Sequence, residues 1–561
     1  MVQTIDRLQV TETLDVFVEM RDGVKLATDI YRPADEKSYP ILLMRTPYNK
    51  SDAQTMNFPH PRWFASKGYV VVIQDTRGRW KSEGEFSPLI DDGNDGIDTI
   101  EWAVNLPNVE QSVGLYGFSY VGMNQYVVAA QNSPYLKCIA PFMCSSGNIQ
   151  RGSKGLFPLA QSLSWAAFVT QDIAIRKKRF DVVEEIMTLN LPAAYQTIPY
   201  ASAKGVYPDL FPFYTKGLYE QPANSFNLLQ HINVPAFHLA GWYDIYINDV
   251  IDSFNELQQV ATTELARNHQ YLLITPWYHM PWSPFVGQQY FGKEAKNTIE
   301  HDLIQWFDRW LKNDEESWQK EKVRYFITGE NVYEMTAQWP PQTTEQAYYL
   351  SSTRANSISG DGQLVENKEQ IKDGEDIYVY HPLIPVPALG GRSGPDPVQA
   401  PMGVALQNPM EIRNDILIYT SAALEDSVTV TGEVTVKLFV STSAEDTDFI
   451  AKLIDVDQTG AAYNIADGIV RLSYTVNEVP QPVEPNKVYE LTISLGQIGH
   501  TFFEGHSIRL HVTSTLFPTY ARNPNDFIEH GDVTVDKLKT ATQTVYHAAN
   551  YPSQLLLPVR Q

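Results

Sequence analysis

The stretch "VGLYGFSYVGMNQYVVAA", Val113 to Ala130, constrains the fold more than any other part of the chain. A short apolar run leads into a tight turn containing Gly117 and Gly122, and helical spacing follows it. Ser119 stands at the apex, a small polar residue between two segments suited to burial. A serine on a sharp strand-to-helix turn is pushed out at the carboxyl edge of a sheet with its hydroxyl exposed. The backbone N–H of the next residue then faces the same space, at a helix amino end. Strand and helix pass very close at such a turn, which demands small residues around the serine.

The surrounding sequence suits a sheet of that kind. "LDVFVEMRDGVKLATDIYRP" alternates around an Asp22-Gly23 turn and reads as a hairpin. "YPILLMRTPY", "YVVVIQDTRG" and "LKCIAPFMC" read as strands, and "PRWFASKG" and "DGNDGIDTIEWAVNLP" as helices between them. Such alternation implies a mostly parallel sheet with helices on both faces. From about Ser146 to His231 the pattern turns wholly helical, as in "GLFPLAQSLSWAAFVTQDIAIRKKRFDVVEEIMTLN", and reads as an inserted cap. Strands and helices then alternate again through "VPAFHLAGWYD", "VIDSFNELQQV", "YLLITPWYH" and "TIEHDLIQWFDRWLK".

Beyond about Gln346, "SVTVTGEVTVKLFVSTS", "DFIAKLIDVD", "IVRLSY", "VYELTISLG" and "SIRLHVTST" are short, turn-bounded strands, the mark of an all-β sandwich or jelly roll. The Pro/Gly-rich "HPLIPVPALGGRSGPDPVQAP" is either a connector or a loop reaching toward another domain. The 561 residues suffice for two or three domains. The expected fold class is α/β. A hydrolase-type core over 1–145 and 232–345 carries a helical cap over 146–231 and is followed by a β jelly-roll domain over 346–561.

A serine hydroxyl is a weak nucleophile unless a base takes its proton, and that base needs an orienting carboxylate. In an α/β-hydrolase these follow the serine in the order acid, then histidine, each after a strand of the same sheet. "FHLAGWYD" ends at Asp244 and "YLLITPWYH" at His279. His231 and His238 precede Asp244, His269 precedes its strand, His301 lies in a helical segment, and His381 and those after it fall in the β-rich region. Asp244 also suits the cap of the helix that follows it. The strict G-x-S-x-G pattern fails, because Val121 stands where its second glycine belongs.

At this point the chain resembles the cocaine esterase/X-prolyl dipeptidyl peptidase (CocE/NonD) family of serine hydrolases, which includes glutaryl acylases and α-amino acid ester hydrolases. The motifs are "RTPYNK", "QDTRGRWKSEGEF", "YGFSYVG", "GWYD", "PWYH", "DTDFIAKLIDV", "DGIVRLSY" and "FPTYARNPN", in family order from about residue 45 to 525. The family pattern at the turn, G-x-S-Y-x-G, accommodates Val121. The resemblance implies an α/β-hydrolase core, an inserted helical cap and a galactose-binding-like jelly roll. It implies Ser119 as nucleophile, His279 as general base and then acid, and Asp244 as the group orienting His279. It further implies an oxyanion hole made by the Tyr48 hydroxyl and the Tyr120 N–H, a group whose donors can each contribute about 3–4 kcal/mol. "QDTRG" is expected to fix a loop through an Asp75–Arg77 charge pair.

The family's α-amino acid ester hydrolases hold a substrate ammonium with acidic residues two and three positions after the aspartate. Here those positions are Tyr246 and Ile247, with Asp249 out of register, and no amine clamp of a dipeptidyl peptidase is evident. Tyr246 and the cap's Trp165 are similar instead to pocket aromatics of the cocaine-hydrolysing branch. The expected reaction is cleavage of a carboxylic ester or amide through an acyl-enzyme. X-prolyl dipeptidyl peptidase or α-amino acid ester hydrolase activity is the alternative, and a carbohydrate- or protein-binding module on a hydrolase scaffold is the non-enzymatic one.

A net charge of −23 gives nucleic-acid binding no electrostatic support. The amino terminus lacks a signal-peptide pattern, no run of about 18 apolar residues suggests a membrane span, and cytoplasmic location is expected. Cys138 and Cys144 lie in an apolar run and read as small hydrophobes. No metal or cofactor is expected, and the expected partner is a small-molecule ester or amide.

Overall fold

A computed structural model describes residues 8–52, 57–146, 155–207, 209–210, 228–392, 402–476, 479–528, 530 and 533–561. The first seven residues, 147–154, 208 and 211–227 of the expected cap, and 393–401 of the Pro/Gly-rich segment lie outside the described residues.

The alternating apolar runs of the first and third stretches build one ten-stranded sheet. Its strands are β1 (Val10–Glu19), β2 (Lys25–Pro33), β3 (Tyr39–Thr46), β4 (Val70–Asp75), β5 (Val109–Phe118), β6 (Leu136–Phe142), β7 (Ala236–Gly241) and β8 (Gln270–Thr275). After a short hairpin of β9 (Phe285–Val286) and β10 (Gln289–Tyr290), β11 (Val323–Ile327) and β12 (Val332–Thr336) complete it. The order is β1-β2-β4-β3-β5-β6-β7-β8-β11-β12, parallel from β4 to β11 and antiparallel at both margins.

Both faces are covered, which is why the central strands read as continuous rather than alternating apolar runs. Along β4, Val70 and Val72 join one core with Ile41, Leu43 and Val113, while Val71 and Ile73 join another with Leu42, Tyr116 and Phe142. Helices α1 (Pro61–Ala65), α2 (Asp92–Ala103) and α3 (Tyr120–Ala129) form between strands, as does the helix Ile247–Val260 after β7. α2 ends four residues before Pro107, a residue that offers no N–H to continue it.

The cap contributes α4 (Leu159–Arg176) and the short helices Phe180–Met187 and Leu191–Gln196. Its apolar side includes Leu163, Ala166 and Tyr195, and the same cluster takes in Phe517 and Ala521 from the C-terminal half. Backbone bonds reinforce this seat: Ala160 N–H donates to Pro518 O at 3.1 Å and Ala521 N–H to Phe157 O at 2.9 Å. Arg522 donates to the Gln196 carbonyl and side-chain oxygen, each at 3.1 Å. The motif "FPTYARN" is thus the floor on which the cap rests.

A second, twelve-stranded assembly runs from Thr343 to Arg560, with its own core of residues such as Leu438, Phe449, Leu453, Leu510 and Leu557. "IVRLSY" is strand only to Arg471; Leu472–Thr475 is a single helical turn. Arg471 is buried and its guanidinium is fixed to Asp446, whose other oxygen accepts the Ser473 N–H at 3.1 Å, and this bends the chain out of the sheet. Of the Pro/Gly-rich segment, Arg392 reaches the loop that follows β7, donating to Trp242 O at 3.1 Å.

The edge strand of this assembly, Gly374–Tyr380, is pinned by a buried polar network. Asp376 accepts from Ser352 at 2.5 Å, Tyr419 at 2.7 Å, Ala355 N–H at 2.7 Å and His547 at 3.1 Å. Burial pushes Asp376 up, but the bonds from His547, Ser352, Ala355 and Tyr419 outweigh it and hold the carboxyl below its ordinary value. Burial likewise pushes His547 down, yet the bonds to Asp376 and to Lys372 O leave it above its ordinary value of 6.5. A raised folded-state value makes this stabilisation complete below 6.5 and progressively lost as pH rises through the folded His547 value. The depressed Asp376 value removes it at the acid end, below the ordinary carboxylate value of 3.8. His547→Gln is expected to cost about 3 kcal/mol near pH 5.5 and less above neutrality, measured by denaturant midpoints across pH.

No helix among the described residues is long and apolar enough to cross a membrane. Both cysteines are buried and unpaired with each other, and burial pushes their thiols well up.

Candidate active site

The strand β5 ends at Phe118 and α3 begins at Tyr120, leaving Ser119 alone on the turn. Its backbone sits at φ 60° and ψ −131°, a region an L-residue occupies only at a cost of order 1–3 kcal/mol. Ser119 N–H donates to Phe142 O at 3.0 Å on the neighbouring strand β6, which locks the strained turn in place.

The two glycines have distinct reasons. A Cβ at Gly117, where φ is +145°, would lie 2.2 Å from Val121 Cγ1. A Cβ at Gly122 would lie 2.6 Å from Cys144 Sγ and 3.0 Å from Phe142 O. Helix and sheet therefore pass too close at Gly122 for a side chain, one residue later than G-x-S-x-G implies, and Val121 fills the space left by Gly117.

Asp244 lies three residues beyond β7, before the helix Ile247–Val260, and His279 four beyond β8. Both loops leave the carboxyl edge of the sheet beside β5, because β6 and β7 lie between β5 and β8 in parallel. His279 Nε2 stands 3.0 Å from Ser119 Oγ, and His279 Nδ1 stands 2.5 Å from Asp244 Oδ2. The second Asp244 oxygen accepts the Tyr246 N–H at 2.7 Å, and Asp244 is fully buried. Phe118 and Tyr246 flank the imidazole with ring centroids at 5.5 and 5.7 Å, and Trp282 Nε1 fixes the His279 carbonyl at 3.0 Å. An ionised Asp244 requires the proton on Nδ1, which leaves Nε2 free to accept the serine proton.

Tyr48 follows β3, with its N–H bonded to Thr46 Oγ1 at 3.0 Å. Its hydroxyl lies beside Ser119 and is hydrogen-bonded to Trp165, and burial pushes its phenol above the ordinary value. The Trp165 indole N–H, 3.1 Å away, is a donor only, so Tyr48 accepts there and its own proton is left for the Ser119 side. Tyr120 opens α3, so its N–H lacks an intrahelical acceptor. The Tyr120 ring is buried, its hydroxyl donating to Asp92 at 2.6 Å and accepting from Leu89 N–H at 2.9 Å. Ser119, His279, Asp244, Tyr48, Tyr246 and Trp165 all meet at one place.

Three contacts had no sequence signal. Gln161 donates to the Tyr246 hydroxyl at 3.1 Å, so that aromatic carries a fixed polar end. Arg79 Nε and Trp80 Nε1 both donate to Pro47 O at 3.0 Å, next to Tyr48. The expected Asp75–Arg77 pair does not form. Arg77 bonds Asp95 at 2.6 Å and Asp22 at 2.7 Å, because its side chain turns toward the β1–β2 hairpin and α2. Asp75 instead accepts the Lys50 N–H at 2.6 Å and a backbone bond from Lys81, and burial pushes its carboxyl up to about 7.

Residues 22–281 match the model of the X-Pro dipeptidyl-peptidase (S15) family, and 316–556 match that of the X-Pro dipeptidyl-peptidase C-terminal non-catalytic domain. A cocaine esterase of Rhodococcus is 32% identical, with 97% of this chain and 98% of that protein covered. An aminopeptidase structure from a marine-sediment thaumarchaeon superimposes with a TM-score of 0.78 at 25% identity, covering 99% of this chain and 97% of the other. An α-amino acid ester hydrolase structure has a TM-score of 0.74 at 23% identity over 99% and 97% of the two chains.

Proposed function

The chain belongs to the serine hydrolase family that joins the S15 X-Pro dipeptidyl-peptidases with cocaine esterase, and from that premise we propose that Ser119, His279 and Asp244 perform its chemistry. As a member it cleaves ester or amide bonds. The observation that carries the residue assignment is His279 spanning the 3.0 Å to Ser119 and the 2.5 Å to Asp244.

Ser119 Oγ attacks the substrate carbonyl carbon while His279 Nε2 takes the hydroxyl proton. The carbonyl oxygen becomes an oxyanion, received by the Tyr48 hydroxyl and the Tyr120 N–H. Collapse of this tetrahedral species breaks the bond to the alcohol or amine, which leaves with the proton from His279. Water then attacks the Ser119 ester, giving its proton to His279, and the acid departs as the proton returns to Ser119 Oγ. Asp244 holds the imidazole in the required tautomer throughout.

The substrate is an ester with an aromatic or short aliphatic acyl group. Supporting this are the aromatic surroundings of the site: Phe118 and Tyr246 beside His279, and Phe168 at 5.7 Å from the Tyr48 ring. The positions that would pair a substrate ammonium are Tyr246 and the buried Ile247, neither of them acidic. A free amine entering there would lose its hydration without a carboxylate partner. p-Nitrophenyl benzoate and butyrate are expected to be turned over with at least about tenfold higher kcat/KM than prolyl or aminoacyl p-nitroanilides bearing a free amine. Preference for the free-amine anilides overturns the acyl-pocket reading and favours a peptidase like the archaeal relative.

A further inference from the structure

Pro47 O lies one peptide from Tyr48 and receives two side-chain donors, Arg79 Nε and Trp80 Nε1, each at 3.0 Å. The same two residues hold the cap. Arg79 Nη1 donates to Val169 O at 2.7 Å and lies 3.5 Å from Asp172, while Trp80 N–H donates to Asp172 at 2.9 Å. Both acceptors are on α4, the helix whose Trp165 donates to the Tyr48 hydroxyl. Tyr48 is therefore gripped from two directions by one helix: directly at its hydroxyl, and at its backbone through the Arg79–Trp80 pair.

The cost of this arrangement argues against simple filler. Arg79 is fully buried, one of its guanidinium nitrogens, Nη2, has no hydrogen-bond partner among the described residues, and burial pushes its value down to about 10. Trp80 adopts φ +48°, a left-handed conformation uncommon for a bulky residue. A buried charge and a strained backbone persist where geometry is over-determined by function or by surrounding structure.

We propose that Arg79 and Trp80 are positioning residues that hold the Tyr48 hydroxyl at the oxyanion site and make that placement depend on the seating of α4. The proposal rests on the oxyanion role given to Tyr48 above. Neither residue touches the reacting atoms; a misplacement of about 1 Å in a donor is enough to lower a rate about a hundredfold.

A double-mutant cycle on the full chain with a p-nitrophenyl ester tests it. Tyr48→Phe is expected to lower kcat by about 10²–10³. Arg79→Met is expected to lower kcat about thirtyfold, with KM within about twofold, yet to cost less than about threefold in the Tyr48→Phe background. Trp80→Phe removes one donor to Pro47 O and is expected to cost about fivefold in kcat with the same dependence on Tyr48. It decides the matter if Arg79→Met fails to fold. Losses that multiply in the double variants, or that appear as raised KM alone, overturn the positioning role and leave the oxyanion assignment standing. Full activity of Tyr48→Phe overturns both.

Discussion

Ser119→Ala is expected to lower kcat by about 10⁶-fold and to abolish labelling by a fluorophosphonate probe, with the unfolding midpoint unchanged. The size follows from chemistry: alanine offers no oxygen to form the acyl-enzyme, and His279 then has no proton to take. Stability is spared because the structural contacts of this residue are made by its backbone. Its N–H bonds Phe142 O, and its carbonyl accepts from Gly122 and Met123 at 2.9 Å. Alanine keeps the Cβ and so inherits the φ of 60° without new crowding. Labelling that survives in Ser119→Ala would move the nucleophile elsewhere. A folded parent that takes no label and turns over no ester would favour a binding module on a hydrolase scaffold.

Asp244→Asn is expected to cost about 10⁴-fold in kcat, more than the change of one atom suggests. Asp244 divides its oxygens between His279 Nδ1 and the Tyr246 N–H. An amide has only one oxygen to offer. If that oxygen keeps the Tyr246 bond, the NH₂ faces Nδ1 and drives the ring proton to Nε2, where it blocks transfer from Ser119. If the oxygen turns to His279, two donors confront each other in a fully buried site. The first arrangement folds and is inactive; the second is less stable. Near-parental kcat with an unchanged unfolding midpoint would remove Asp244 from the machinery, and steady-state kinetics with a denaturation curve measures both.

Order along the chain brought Ser119, Asp244 and His279 forward as candidates before any coordinates: each follows a strand of one mostly parallel sheet, and parallel strands deliver their loops to one edge. Tyr48 was different. Its ring follows a strand like many packing aromatics, and only the family resemblance singled it out. Arg79 and Trp80 were visible as letters of "QDTRGRW", yet their partners are a carbonyl at Pro47 and a helix some 90 residues on in the chain. No local pattern encodes a side chain reaching a distant backbone oxygen. The Asp75–Arg77 pairing failed for a related reason: successive charges in a loop point to different neighbours, and Arg77 found Asp22 and Asp95. In "IVRLSY" the β-rich letters outran the strand because a buried arginine bends the chain at Arg471.

The floor beneath the cap has a bearing on how such enzymes can be recombined. Phe517, Ala521 and Arg522 belong to one half of the molecule while the helices they carry are encoded in the middle of the other. A chimera that exchanges the C-terminal half between relatives therefore also exchanges the footing of Trp165 and Gln161, and is expected to retune the proposed acyl site without altering one residue proposed to line it.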